Sequence, residues 1–258
     1  PFIFNYYDLN KYLDGRRKMT EPNFAPEHDR PVSYMERTRS YYLALGYDNP
    51  YTWAHFIDVP FNSLKKPLHQ MTLGLITTAV PYNPAKGEQG KGAPYNSYAK
   101  FYEPYALPTS VDPDLRIAHV GIDRKHADMV DMACWFPISA ARKSVASKRI
   151  AKLANRFYGL PTNRSQRQTL EIDAPLVLEM CQVDHVDAVI LIPNCPICHQ
   201  SISLLARYLE DANIPTVIIG AAKDIVEYCG VPRFVFNDFP LGNAAARPVS
   251  YTHLKLPT

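Results

Sequence analysis

Apolar and polar positions follow two periods along this chain, and the clearest switch between them lies at Val186 to Ile219. Ala188 to Ile192 is a short apolar, β-branched run closed by Pro193-Asn194, which reads as a buried parallel strand. Ile202, Leu205, Ala206 and Leu209 then fall at i, i+3, i+4 and i+7, the core stripe of a helix. Pro196 suits the first helical position, where its missing N–H costs nothing. A second apolar run, Thr216 to Ile219, completes a strand–helix–strand unit.

The rest of the pattern extends this unit in both directions. Val32 to Leu45 reads as a helix ended by Gly46, and Thr72 to Val80 as a first buried strand. Trp53, His55, Phe56, Val59 and Phe61 form an aromatic cluster that reads as a packed wrapper on the main sheet. Pro81 to Pro108 carries Gly87, Gly90, Gly92 and five tyrosines between Tyr82 and Tyr105, as a lid or another long loop would. Arg116 to Gly121 is predicted as a second strand and Ser139 to Ser147 as a short helix. Arg164 to Gln182 is predicted helical, with Pro175 kinking or restarting it. Ala221 to Tyr228 reads as a helix ended by Gly230, and Phe234 to Phe236 as a short strand. The alternation predicts an α/β fold, a parallel sheet with helices on both faces in a Rossmann-like or flavodoxin-like arrangement. The N-terminal half, rich in Pro and Tyr, is expected to be irregular.

Composition narrows the class. Of 258 residues, 47% are hydrophobic, enough for a real core, and the net charge of +3 gives no reason to expect nucleic acid or an anionic membrane surface. No apolar run reaches the roughly 18 residues of a membrane span. Five cysteines do not suggest a secreted disulfide framework, so a reducing cytoplasm is the expected compartment. Both ends read as foreign to the fold. Met19 follows Gly15-Arg16-Arg17-Lys18, such as purine-rich upstream codons would encode, and residues 249–258 resemble a translated adapter sequence. The expected organisation is residues 1–18 as upstream read-through and 19–112 as an N-terminal segment with the first strand and lid-like loop. Residues 113–248 would form the α/β domain, and 249–258 an unrelated tail.

The candidate chemistry sits where the strand gives way to the helix, at Cys195-Pro196-Ile197-Cys198. A sulfur at the cap meets free backbone N–H groups and the positive end of the helix dipole. Cys195 is therefore expected to be the exposed, acidified nucleophile. Cys198, one turn in and facing Ile202, is expected to be the sheltered resolving thiol, its pKa raised by desolvation. The motif also spells CxxCH, a haem-attachment pattern, but a His199 tied into a helix packed on a sheet argues against haem. A zinc half-site needs a second ligand pair, and Cys134, Cys181 and Cys229 are isolated, so no metal or other cofactor is expected. Thr77, Thr78 and Asp123, with Asn194, Asp238 and Asn243, lie at or just past predicted strand ends, where α/β proteins bind ligands.

Three segments carry a family resemblance: V-D-A-V-I-L-I-P-N-C-P-I-C-H-Q, the A-R-Y-L-E…N-I-P-T after it, and C-G-V-P-R-F-V-F-N-D-F-P-L-G-N. With Y-M-E-R-T-R, L-I-T-T-A and D-x-x-C-W-F-P-I, they resemble the selenoprotein B family, subunits of the glycine, sarcosine, betaine and D-proline reductases. The likeness runs from about Pro31 to Pro248. Members of the glycine-reductase type carry selenocysteine followed by cysteines at i+3 and i+6, positions held here by Cys195, Cys198 and Ser201. The nucleophile would be sulfur, and the third chalcogen has become a hydroxyl. The family also implies a C-terminal continuation.

The resemblance implies reductive C–N cleavage of a small amine or amino-acid substrate, with a pyruvoyl-type subunit and a small redox protein as partners. Cys195 would attack, Cys198 resolve, and His199 donate a proton. A cysteine of ordinary pKa, about 8.5, is mostly protonated at neutral pH, so the helix terminus would have to acidify it. Two other readings remain: a thiol–disulfide or persulfide-handling protein, and a non-catalytic α/β binding module whose cysteines are structural.

Overall fold

The computed structural model describes residues 30–48, 51–86, 103–117, 119, 121–127, 129–160, 162 and 165–245. Its strands are β1 (Thr72–Thr77), β2 (Val80–Pro81), β3 (Tyr105–Pro108), β4 (Leu115–Arg116), β5 (Lys152–Leu153), β6 (Arg156–Gly159), β7 (Ala188–Ile192), β8 (Thr216–Gly220) and β9 (Phe234–Phe236). The helices are α1 (Tyr34–Ala44), α2 (Ile138–Ala146), α4 (Pro196–Asp211) and α5 (Lys223–Cys229). Between α2 and α4 lies α3, a continuous run of Gln166–Gln168, a widened turn Thr169–Asp173, and Ala174–Val183. The widened turn ends two residues before Pro175. Proline lacks the N–H that would bond back one turn and its ring crowds that carbonyl, and the extra residue in the turn relieves both.

The main sheet runs in the order β3-β6-β1-β7-β8-β9, with β5 beside the start of β1. Every pairing is parallel except β3 with β6, an antiparallel edge. The sheet is therefore mostly, not wholly, parallel. From β1 the chain moves one way to β6, then returns past β1 to β7 and continues outward through β8 and β9. Right-handed crossovers in opposite directions put their helices on opposite faces.

The core has that arrangement. Leu75, Phe157 and Ile192 pack with Trp135, Phe136 and Ile138, the first residue of α2. Their neighbours Ile76, Tyr158 and Leu191 pack against Ala174, Val177 and Cys181 of α3 and Ile202, Leu205 and Leu209 of α4. Alternate strand residues thus feed two separate cores, as the period of two requires. The point where the strand order reverses lies between β1 and β7.

Helix α4 is buried almost all round. Ala206, Leu209 and their stripe face the sheet core as predicted, while its polar side is stitched to the segment 51–62. Gln200 accepts from the Ala54 amide, Arg207 donates to Asp58 and lies over the Phe56 ring, and Glu210 accepts from the Asn62 amide and from Arg233. The aromatic wrapper therefore packs mainly on α4 and its surroundings, although Phe61 and Val59 keep much of their surface exposed.

Several expectations need correction. Of the predicted strand Arg116 to Gly121, the described residues show only Arg116 paired, in β4 antiparallel with β2 and outside the main sheet. The strand that does flank β1 is Arg156–Gly159, too short to show a period on its own. Tyr105–Pro108, read as part of a loop, is the antiparallel edge, and its proline suits an edge position. The body of the predicted lid, residues 87–102, lies outside the described residues, as do 1–29 and 246–258. The first helix, α5 and β9 fall where the periodicity put them; Gly46 and Gly230 end the two helices at φ +82° and +79°. Among the described residues, no helix is long and apolar enough to cross a membrane.

Candidate active site

Strand β7 ends at Ile192, and Pro193-Asn194 carries the chain to Cys195, the N-cap of α4. This is the carboxyl end of a central parallel strand beside the strand-order reversal, where open α/β sheets bind ligands. Thr78, just past β1, ties the two strand ends together: its hydroxyl accepts from the Asn194 amide at 3.1 Å and faces the Asn194 side-chain nitrogen at 3.3 Å. Thr77 turns the other way, its hydroxyl accepting from the Ala79 amide at 3.1 Å. Thr78 and Asn194 thus brace the floor on which the sulfurs stand, and neither they nor Thr77 line the cavity above it.

Cys195 Sγ accepts from the Cys198 amide at 3.2 Å, the capping bond of the helix. The two Sγ atoms are 2.6 Å apart, and both cysteines are free thiols. The Thr162 hydroxyl donates to Cys198 Sγ at 3.2 Å, and the ring nitrogens of His119 lie 3.6 and 3.9 Å from it. Gly121 makes this approach possible: a Cβ there would meet the Pro196 ring at 2.9 Å.

Two expectations fall here. Cys195 is not exposed; both sulfurs are buried, at 4% and 0%. Nor is Cys195 the acidified one. Burial penalises both thiolates. At Cys198 that penalty is outweighed by the Cys195 thiol, His119 and Thr162, which bring its pKa well below the ordinary value. At Cys195 burial and the neighbouring Cys198 charge push the pKa well up. The cap N–H groups do lower the pKa of Cys195, but the partners reaching Cys198 from two loops outweigh them. Of the two, Cys198 is therefore the thiol that ionises more readily.

His199 is corrected too. Its ring is fully buried. Nε2 accepts from the Ala221 and Ala222 amides at 3.0 and 3.2 Å, so the proton is on Nδ1, 2.7 Å from the Cys195 carbonyl oxygen. Burial lowers its pKa to about 4. With both nitrogens committed to backbone, His199 is no proton donor to a ligand; it clamps the cysteine turn to the loop after β8. Gly220 admits the ring, since a Cβ there would meet Nε2 at 2.7 Å.

A cavity of about 610 Å³ opens over this floor. Its wall includes Cys195, Pro196, His119, Thr162, Asp123, Arg124, Lys125, His126 and the α1 residues Tyr34, Arg37, Thr38 and Tyr41. Three permanent cations face one carboxylate. Asp123 is held below the usual carboxylate range, burial opposing and the His126 ring and amide favouring its charge. Of the remaining predicted residues, Ser201 and Asn243 are buried and Asp238 is exposed, and none of the three lines this cavity.

Sequence reading missed His119, Thr162 and the α1 wall. His119 sat inside what looked like an apolar strand. Helix α1 did carry a signal: Tyr34, Arg37, Thr38 and Tyr41 fall at i, i+3, i+4 and i+7, a helical stripe of rings and charge in place of aliphatic side chains.

Fold and site define an α/β protein with a coupled thiol pair beneath a ligand-sized, cationic cavity at its switch point. The chain is 30% identical over 188 residues to the D-proline reductase subunit gamma of Acetoanaerobium sticklandii, a match spanning 71% of this chain and 73% of that one. The chain belongs to the family of that reductase subunit. No protein-family model matches it, and no solved structure does.

Proposed function

We propose that this chain is the thiol-bearing subunit of an amino-acid reductase, cleaving the bond between the α-carbon and nitrogen of an amino- or imino-acid substrate. One observation carries this reading: Cys195 lines a cavity with Arg37, Arg124 and Lys125, and a second sulfur lies 2.6 Å behind it. The cations match a substrate carboxylate. D-proline, the substrate in the name of the similar reductase subunit, is an imino acid of suitable size.

The two sulfurs supply the electrons. Cys198 takes the Cys195 proton as Cys195 Sγ attacks the α-carbon. The C–N bond breaks, and its electron pair goes to nitrogen, which takes a proton. Cys198, its proton passed to His119, then attacks Cys195 Sγ. The S–S bond forms, the C–S bond breaks, and the α-carbon leaves with the electron pair and a proton. Substrate gains two electrons and two protons, and the dithiol becomes a disulfide. An external dithiol reductant resets the pair, the role of the small redox partner; a pyruvoyl-type subunit is the other proposed partner.

The test is mass spectrometry of the reduced protein after incubation with D-proline and related amino acids, with the partner subunits supplied. The expected result is a substrate adduct on Cys195 that accumulates in Cys198→Ser. A Cys195→Ser variant that still consumes substrate would overturn the reading. The Sγ–Sγ distance also favours simple thiol–disulfide exchange; reduction of a disulfide substrate with no amine consumed would assign that activity instead. Slow, equal alkylation of both cysteines would favour a structural pair.

A further inference from the structure

His119, Cys195 and Cys198 come from two distant parts of the chain, yet their ligand atoms all lie within 4.8 Å of one another. Two thiols and an imidazole are the donor set that selects Zn²⁺ and other thiophilic d¹⁰ cations. The sequence offered only a half-site, a single CxxC pair. The tertiary structure adds the third ligand by laying His119 over the start of α4, an approach that Gly121 permits.

We propose that this triad is a Cys₂His site for Zn²⁺, with its fourth position open to the cavity, and that metal and thiol chemistry exclude each other there. The geometry needs little change. Zn–S bonds of about 2.3 Å in tetrahedral arrangement require the sulfurs about 3.8 Å apart. The present 2.6 Å separation opens to that by side-chain rotation. His119 is half-buried on a loop and already 3.6 Å from Cys198 Sγ through Nδ1. The Cys198 amide continues to donate to Cys195 Sγ, as second-sphere donors to metal thiolates do. Cys195, His119 and Thr162 all line the cavity, so a bound cation meets incoming ligand from that side. Loading displaces whatever protons the two thiols hold. Zinc binding rests on this geometry alone; the consequence, a reversible block of the sulfur nucleophile, rests on the proposed reductase reading.

The experiment titrates reduced, metal-free, full-length protein with Zn²⁺ against a chromophoric chelator, and with Co²⁺ as a spectroscopic probe. One equivalent should bind, and Co²⁺ should give thiolate charge-transfer bands and the strong visible absorption of a tetrahedral site. His119→Asn and Cys198→Ser should each weaken binding at least tenfold. Cys181→Ala, which removes a thiol buried elsewhere, should leave it unchanged. Zn²⁺ should also slow iodoacetamide labelling of Cys195, and a chelator should restore it. Binding no tighter than in a Cys195→Ser/Cys198→Ser double variant would overturn the site. So would full affinity in His119→Asn, provided circular dichroism shows the variant folded. Reductase assays are run separately in chelator, so a failed reductase reading leaves the zinc result standing.

Discussion

Past the carboxyl ends of β1 and β7, which Thr78 ties together, lies a cavity of about 610 Å³ with three cationic side chains and a sulfur in its wall. Toward their amino ends the same two strands, with β5 and β8, back a second cavity of about 310 Å³. That one is lined by Leu64, Leu68, Leu73, Ile150, Leu153, Ile190 and Val217, with Arg233 at its edge, and Arg233 already donates to Glu210. The difference follows from backbone direction. Parallel strands feed their carboxyl ends into helix N-termini, where amides point outward and loops gather polar groups. Their amino ends receive the chain from helix C-termini, and there the sheet face is simply apolar core surface. One end gathers cationic side chains and sulfur, the other mainly apolar surface.

The largest test of this contrast is Cys195→Ser. It should reduce C–N cleavage by at least about a thousandfold, the scale on which removed catalytic nucleophiles register, with little change in melting temperature. Measured turnover and thermal unfolding on one preparation check both halves. A variant with lowered stability and retained turnover would place the chemistry elsewhere.

His199 sharpens the comparison through pH. Its folded pKa of about 4 lies below the ordinary 6.5 of histidine, so the unfolded chain takes the proton first. The stability it contributes is complete above about pH 6.5 and is lost as pH falls toward 4, a loss of up to about 3 kcal/mol. Urea unfolding at pH 7 and pH 4.5 should show the decline, and His199→Gln, less stable at pH 7, should show a shallower one. An equal slope in the variant would mean that another group carries the acid sensitivity.

At the amino end, Leu73→Ala should cost about 2 kcal/mol, the low end for a buried leucine because a cavity already adjoins it. Turnover per folded molecule should not change. The smallest effect is expected for Arg37→Gln, which should raise KM about tenfold, the loss of one charge-assisted hydrogen bond, while kcat stays near its original value. An unchanged KM would remove Arg37 from carboxylate recognition.

How much of this was legible depends on the range over which each feature is decided. The unit β7–α4–β8 was readable because its apolar runs, its helical stripe and Pro196 are local signals that agree with one another. The same holds for α5, with Gly230 at its end, and for the restart of α3 at Pro175. Strand β6 was not readable: four residues, Arg-Phe-Tyr-Gly, carry no period, and they form a strand only because β1 and β3 pair on either side. The stretch from Arg116 to Gly121 read as a strand on local apolar residues, whereas among the described residues only Leu115–Arg116 pairs, with β2.

The sequence by itself determined that two thiols stand at a strand-to-helix junction, three residues apart, because cap chemistry and helical spacing are properties of consecutive residues. Only the tertiary structure decided which of them ionises more readily. Cap amides favour Cys195, and they act within one turn. His119, 79 positions away, and Thr162, 36 positions away, bring their donors to Cys198 instead. Around a buried thiol, those through-space donors outweigh the local cap, because burial strengthens every hydrogen bond to a charge that survives it. The same packing took His199, the histidine the motif advertised, into the backbone, and put His119, which no motif marked, beside the sulfurs.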